Sequence, residues 1–184
     1  NIYFHALKHY YREDFSYCEL GDGDELWENL SFESILNAHK NVYLLMKQFH
    51  DEERLHMIWG NHDMVYRDAK YVEKHLSTYF DPKTGENEDL FCDIEYNEGI
   101  VLQHSKTKQE VFLTHGHQAD WWNYLFWKWS RFLVRVLWKP LNVIGIADPT
   151  SPAKNYKELI RIERRTKKWI TENHNLITVV GHTH

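Results

Sequence analysis

Four short apolar runs in this chain, Phe15 to Leu20, Leu55 to Trp59, Val111 to Thr114 and Ile177 to Val180, each lead into a glycine-centred polar motif. The motifs are Gly21-Asp22-Gly23-Asp24-Glu25, Gly60-Asn61-His62-Asp63, His115-Gly116-His117 and Gly181-His182-Thr183-His184. Runs of β-branched and aromatic residues bounded by turn residues read as strands. Glycine lets the chain turn sharply off a strand end and brings the next side chain to the sheet edge, where neighbouring motifs converge. The pattern therefore points to a sheet whose strand ends carry one site.

The segments between the runs supply helical layers. From Ser31, a good N-cap, Ile35, Ala38, Val42, Leu45 and Phe49 recur at three- and four-residue spacing, which predicts a helix. A weaker helical pattern covers Asp68 to Phe80, followed by the turn-rich Asp81 to Asn87. Ile100 to His104 and Glu110 to His115 flank Ser105-Lys106-Thr107-Lys108 and predict a hairpin. At 184 residues the chain fits one domain able to bury a core without disulfides, and 42% hydrophobic residues argue against disorder. Cys18 and Cys92 make no disulfide framework or zinc spacing, and no signal-peptide pattern opens the sequence, so the expected location is the cytoplasm.

The net charge of -5 hides an asymmetry: residues 121–170 hold 11 Lys/Arg against 3 Asp/Glu, a basic insert in an acidic body. Residues 121–138 carry Trp121, Trp122, Trp127, Trp129 and Trp138, yet Lys128, Arg131, Arg135 and Lys139 line one helical face. A spanning helix would place Arg131 near the bilayer midplane, so an amphipathic helix ending near Pro140 is expected instead. Asp148 to Pro152 breaks the chain before a second charged helix from Ala153 to Glu172.

The four motifs together offer carboxylate, amide oxygen and imidazole donors without thiolate, a mixture that suits Mn, Fe or Zn. In this order, each after a predicted strand, they resemble the calcineurin-like metallophosphoesterase superfamily, whose pattern is Asp-x-His, GDxxD or GDxxE, GNHD/E, a His-Gly pair and GHxH. The resemblance implies an α/β fold, a mixed-sheet sandwich with αββα layers, and two divalent metal ions, Mn first with Fe or Zn as alternatives. It makes Asp22 the bridging carboxylate, Asn61, His115 and His182 further ligands of one metal, and His184 a ligand of the other. His62 becomes the non-ligand histidine that contacts the scissile phosphate or protonates the leaving oxygen, with Asp63 holding its imidazole. The implied function is hydrolysis of a phosphate ester or diphosphate by a metal-bridging hydroxide. Alternatives are a nucleotide or nucleic-acid phosphodiesterase using Arg161, Arg164, Arg165, Lys167 and Lys168, and a non-catalytic scaffold of the same fold.

The opening Asp-x-His has no counterpart before Asp22 and the family continues beyond the final GHxH. The sequence is therefore expected to be a single domain over 1–184 trimmed at both ends, with a helical cap insert at 120–174. That insert is loosely similar to the cap of UDP-2,3-diacylglucosamine pyrophosphohydrolases, with Trp122, Trp129 and Leu133 on one apolar face. A phosphorylated small molecule or lipid is the expected substrate, with peripheral membrane contact through 121–139 and nucleic acid ranked behind. Plain packing of these aromatics on the sheet, with a solvated Lys/Arg face, stays open. His117 is expected behind the ligands or at the surface. His39, His50, His56, His75, His104 and His174 are expected to be surface or satisfied core residues, and Cys18 a buried, inert thiol.

Overall fold

A computed structural model describes residues 1–119, 156–172 and 176–182. Helices and several open sheets make the fold a mixed α/β one. Two compact units divide the chain: Asn1–Glu19, Asn29–Met57 and Val65–Asn97 form the first, and Leu20–Glu28, Ile58–Met64 and Glu98–His184 the second.

In the first unit, helix α1 spans Ile2–Arg12, strand β1 Tyr17–Glu19 and helix α2 Phe32–Asp51; strand β2, Leu55–Ile58, lies in it up to Met57. β1 and β2 pair in parallel, Tyr17 opposite Leu55 and Glu19 opposite Met57, and β5 (Tyr96–Asn97) completes a sheet of order β1-β2-β5. Ser31 caps α2 as expected, its hydroxyl accepting the Ser34 N–H. Val42, Leu45 and Phe49 are buried, but Ala38 is exposed and Leu36 buried in its stead, because non-helical dihedrals at His39 kink the helix and shift its stripe. Phe49 is fully enclosed, with Tyr11 and Tyr17 rings 5.1 and 6.1 Å away. Removing so buried a ring costs about 3–5 kcal/mol.

Helix α3 (Ala69–Leu76) covers only the first part of the helical pattern expected over Asp68 to Phe80. Thr78–Asp81 forms β3 instead, paired antiparallel with β4 (Glu86–Asp89) around a turn containing left-handed Gly85. Thr78, Tyr79 and Phe80 favour extended backbone, and pairing with Asn87, Glu88 and Asp89 outweighs the helical spacing. α1 was not expected from the sequence. Asn1 caps it by accepting the Tyr3 N–H, yet it is rich in His and Tyr, and Leu7 is its buried residue.

The second unit contains β6 (Gly99–Gln103), β7 (Glu110–Thr114), α4 (Tyr156–Glu172) and β8 (Leu176–Val180). β6 and β7 form the expected hairpin; β7 and β8 run parallel, with Glu110 opposite Leu176 and Thr114 opposite Val180. α4 confirms the charged helix from residue 156 onward; Ile162 is buried while Arg161, Arg164, Arg165, Lys167 and Lys168 are exposed. The amphipathic helix expected over 121–138, with its Trp122, Trp129 and Leu133 face, lies outside the described residues, as do His174 and His184. Among the described residues no helix is long and apolar enough to cross a membrane.

Candidate metal centre

The second unit holds the loops of all four motifs, and His115 is the point where they meet. Because β7 and β8 are parallel and in register to Thr114 and Val180, His115 and Gly181 leave the sheet side by side. The His115 carbonyl accepts the backbone N–H groups of Gly181 and His182, at 3.1 and 2.8 Å, which locks the two loops together. The Gly21 loop joins through its neighbour: Leu20 offers its carbonyl oxygen to His115 Nδ1 at 2.8 Å.

That last bond fixes the imidazole's tautomer. A carbonyl only accepts, so Nδ1 carries the proton and the neutral ring presents its lone pair at Nε2. Around Nε2 stand Asp22 Oδ2, Asn61 Oδ1 and His182 Nδ1, each 3.1 Å away. The electron pairs of Asp22, Asn61 and His115 thus converge in a buried space, and His182 Nδ1 adds a fourth in the tautomer protonated at Nε2; His115, Asn61 and His182 are 1%, 3% and 6% exposed. A proton satisfies one such pair, whereas a cation satisfies all four. Donors bound at ~2.1 Å around one ion lie about 3 Å apart, so the spacing fits a divalent cation. Asp22, His115 and His182 are, among the described residues, the one group of three or more His, Cys, Asp or Glu side chains close enough to share an ion. The expectation of two ions thus meets a single ligand cluster among these residues.

Glycine is required where these loops touch. Gly21 is left-handed at φ +89°, and a Cβ there would stand 2.7 Å from Gly60 N and 2.9 Å from His115 Nδ1. A Cβ on Gly60 would come within 2.2 Å of Asp22 Oδ1. Asp22 itself is left-handed at φ 58°, a conformation that disfavours side chains with a Cβ. It is held there by the His62 N–H, which donates to Asp22 Oδ1 at 2.8 Å. Burial pushes the Asp22 carboxyl upward, but its contact with His115, and then the charge and backbone N–H of His62, hold it well below the usual carboxylate range. Asp22 is therefore an anion at neutral pH.

His62 stands beside this cluster without joining it. Its Nδ1 lies 2.5 Å from Glu25 Oε2, and its ring stacks on Trp27 with centroids 4.5 Å apart and planes 17° from parallel. Burial opposes charge on the imidazole, yet the adjacent carboxylates of Glu25 and Asp22 raise its pKa above the ordinary histidine value. The sequence pattern assigned Asp63 to hold this ring. The carboxylate at its Nδ1 is instead that of Glu25, while buried Asp63 accepts the Gly60 N–H at 2.5 Å and tightens the loop that carries Asn61. Glu25 was legible as the end of the GDxxE pattern, but nothing in the spacing said which carboxylate would reach the imidazole.

His117 is completely buried rather than exposed, its ring centroid 5.0 Å from Trp59 and 5.3 Å from His115. Trp59, in the run before Gly60, is the aromatic that backs it. Of the histidines expected elsewhere, His39, His56, His75 and His104 are exposed, and His50 is bonded through Nε2 to the Cys92 carbonyl. Cys18 is half-buried in β1, its thiol pushed up to about 11 by burial and then by Glu19, as an inert thiol requires.

Comparison with known proteins finds no family model, no curated protein and no solved structure that matches this chain.

Proposed function

We propose that this chain is a metal-dependent hydrolase of phosphate esters or diphosphates, built as the αββα sandwich of the metallophosphoesterase type. The observation that carries the reading is the meeting of Asp22, Asn61 and His182 at His115 Nε2, each at 3.1 Å. A divalent cation bound there supplies charge neutralisation for phosphoryl oxygens and lowers the pKa of a water into the neutral range. Mn is the first expectation, with Fe or Zn as alternatives, and a second ion would draw on His184.

The chain's own groups have separable tasks. Asp22 is the one carboxylate among these four donors, so the neutral donors around it avoid building negative charge that would repel an anionic substrate. His62, with Nδ1 engaged by Glu25 and a side chain 32% exposed, is placed to hand a proton to the leaving oxygen. The substrate class proposed is a phosphorylated small molecule or lipid, met in the cytoplasm, with membrane contact through 121–139. Nucleic acid is a weaker reading, since Lys167 and Lys168 on α4 are paired, at 3.9 and 4.0 Å, with Glu163 and Glu172.

The test strips the protein with chelator, restores Mn or Zn, and measures hydrolysis of a phosphomonoester, a phosphodiester and a lipid diphosphate alongside metal content. Turnover should require metal. Asp22→Asn should lose metal and activity together, whereas His62→Ala should keep metal and lose about 100-fold or more in turnover. Tight metal binding with no turnover on any ester would refute the hydrolase reading and favour a scaffold. Metal loss in His62→Ala equal to that in Asp22→Asn would make His62 a ligand.

A further inference from the structure

Neither metal chemistry nor the motif pattern gives Trp27 a task, yet its ring stacks on that of the histidine assigned to proton transfer. Trp27 is only 5% exposed, and its ring lies 4.5 Å from that of His62 at an interplanar angle of 17°. Stacked and edge contacts are both ordinary between aromatic neighbours, and of the two the near-parallel one lays a flat surface along the imidazole. The same loop also grips the ring's edge. Glu25 Oε2 stands at His62 Nδ1, while Glu25 Oε1 accepts the backbone N–H groups of Trp27 and Glu28 at 3.1 and 3.2 Å. One carboxylate thereby ties the position of the indole to that of the imidazole: its first oxygen anchors the Trp27 backbone, and its second anchors the ring on which Trp27 stacks.

We infer that Trp27 is a positioning residue for His62, a flat wall that, together with the Glu25 edge contact, holds the imidazole in the one plane from which it can protonate a leaving oxygen. The inference rests on the hydrolase reading above. An imidazole held at one nitrogen alone can still swing about that bond. A surface against its face removes this freedom, and proton transfer is sensitive to such freedom because it demands donor and acceptor at hydrogen-bond distance and in line.

A positioning role makes a claim that a core-packing role does not. Protonation of the leaving oxygen matters greatly for an alkyl phosphate, whose product would otherwise be an alkoxide, and little for p-nitrophenyl phosphate, whose product is a stable anion. Losing the wall should therefore penalise the first substrate selectively. The experiment compares Trp27→Phe, which keeps a flat ring, with Trp27→Leu, which keeps apolar volume without one. Metal content, kcat and KM are measured on an alkyl and a p-nitrophenyl ester in the metal-loaded protein. For Trp27→Leu the expected result is a fall in kcat of about tenfold or more on the alkyl ester and within about twofold on the nitrophenyl ester, with KM and metal content near wild type. Trp27→Phe should restore most of the loss.

A structural readout independent of turnover accompanies this. In the wild type the His62 ring protons should show the upfield NMR shift expected under a stacked indole, and the shift should vanish in Trp27→Leu. Equal losses on both esters, or Phe and Leu variants that behave alike, would overturn the assignment and leave Trp27 as ordinary core. Absence of the ring-current shift in wild-type protein would overturn it even if neither variant folds. A wild type inactive on both esters refutes the hydrolase reading itself, whereas an active wild type with non-selective losses refutes only the role of Trp27.

Discussion

Replacing Gly60 with alanine tests the candidate metal centre without touching any donor atom. The added methyl would stand 2.2 Å from Asp22 Oδ1 and 2.6 Å from the Asp22 backbone nitrogen, where ordinary contact begins at 3.4 Å. The carboxylate has to retreat by about 1.2 Å, and the backbone beside it cannot yield cheaply because Gly21 is pressed against the same glycine. Retreat breaks the hydrogen bond from the His62 N–H to Asp22 Oδ1, a charge-assisted bond worth roughly 1.5–3 kcal/mol, and overpacking adds roughly 1–3 kcal/mol. Since one displacement causes both effects they are not fully additive, and a loss of about 3 kcal/mol in stability is expected. Displacing a carboxylate donor from the cluster should also weaken metal binding tenfold to a hundredfold. Urea denaturation of metal-free protein reads the first quantity, and calorimetric titration with Mn reads the second. Gly85→Ala is the control: its φ of +76° makes alanine costly by about 1 kcal/mol, but nothing lies within 4 Å, so metal affinity should not change. If Gly60→Ala binds Mn within about twofold of wild type, Asp22 is not a donor in the arrangement described.

Two further substitutions separate the carboxylates that flank His62. Glu25→Gln should keep metal and stability yet lower turnover by roughly tenfold, because it removes the anion at the imidazole edge; unchanged turnover in a steady-state assay would return that task to Asp63. Asp63→Asn should act on stability, by about 1–2 kcal/mol in thermal denaturation, through the weakened bond from the Gly60 N–H. For the thiols, alkylation at pH 8 should modify exposed Cys92 first. Cys18, with its thiol pushed up to about 11 by burial and then Glu19, holds a thiolate fraction on the order of one in a thousand at that pH; comparable rates by mass spectrometry would contradict its burial.

The site was more legible in the sequence than the elements around it, for a physical reason. Each motif is a local event, a β-prone run followed by glycine and a donor, so its residues announce themselves without reference to the rest of the chain. The hairpin of β6 and β7 was legible for the same reason. What failed depended on competition or on distant partners. Asp68 to Phe80 carries helical spacing throughout, yet pairing with Asn87 to Asp89 takes the last part into β3. α1 escaped notice because its Tyr, Phe and His content is poor helix material, so neither propensity nor a strong apolar stripe marked it. The exchange of Glu25 for Asp63 at His62 has a similar origin. Asp63 Oδ1 accepts a backbone N–H three residues back in its own loop, while the carboxylate beside the imidazole comes from 37 positions earlier in the sequence. Sequence spacing records which groups are near in the chain and not which of two carboxylates the folded loops bring to the ring.

Strand direction explains why these four motifs, and not others, carry donors. Parallel neighbours end at the same side of a sheet, so the loops that follow them start together; antiparallel neighbours end at opposite sides. β7 and β8 are parallel and finish in register at Thr114 and Val180, which puts His115 and His182 at adjacent starts. β1 and β2 are likewise parallel, Glu19 opposite Met57, and the chain leaves them into the Asp22 and Asn61 loops. In the sheet of β7 and β8, β6 is the antiparallel member. It runs into its turn at Gln103, paired with Glu110 at the beginning of β7, so the residues after it emerge at the end of the sheet away from His115. Accordingly the turn there, Ser105 to Lys108, contributes no donor to the cluster, and its histidine, His104, is spent on Thr107 within the same turn. A histidine count would have given His104 the same standing as His115; strand polarity separates them, because of the two only His115 follows a strand whose parallel partner delivers another ligand beside it.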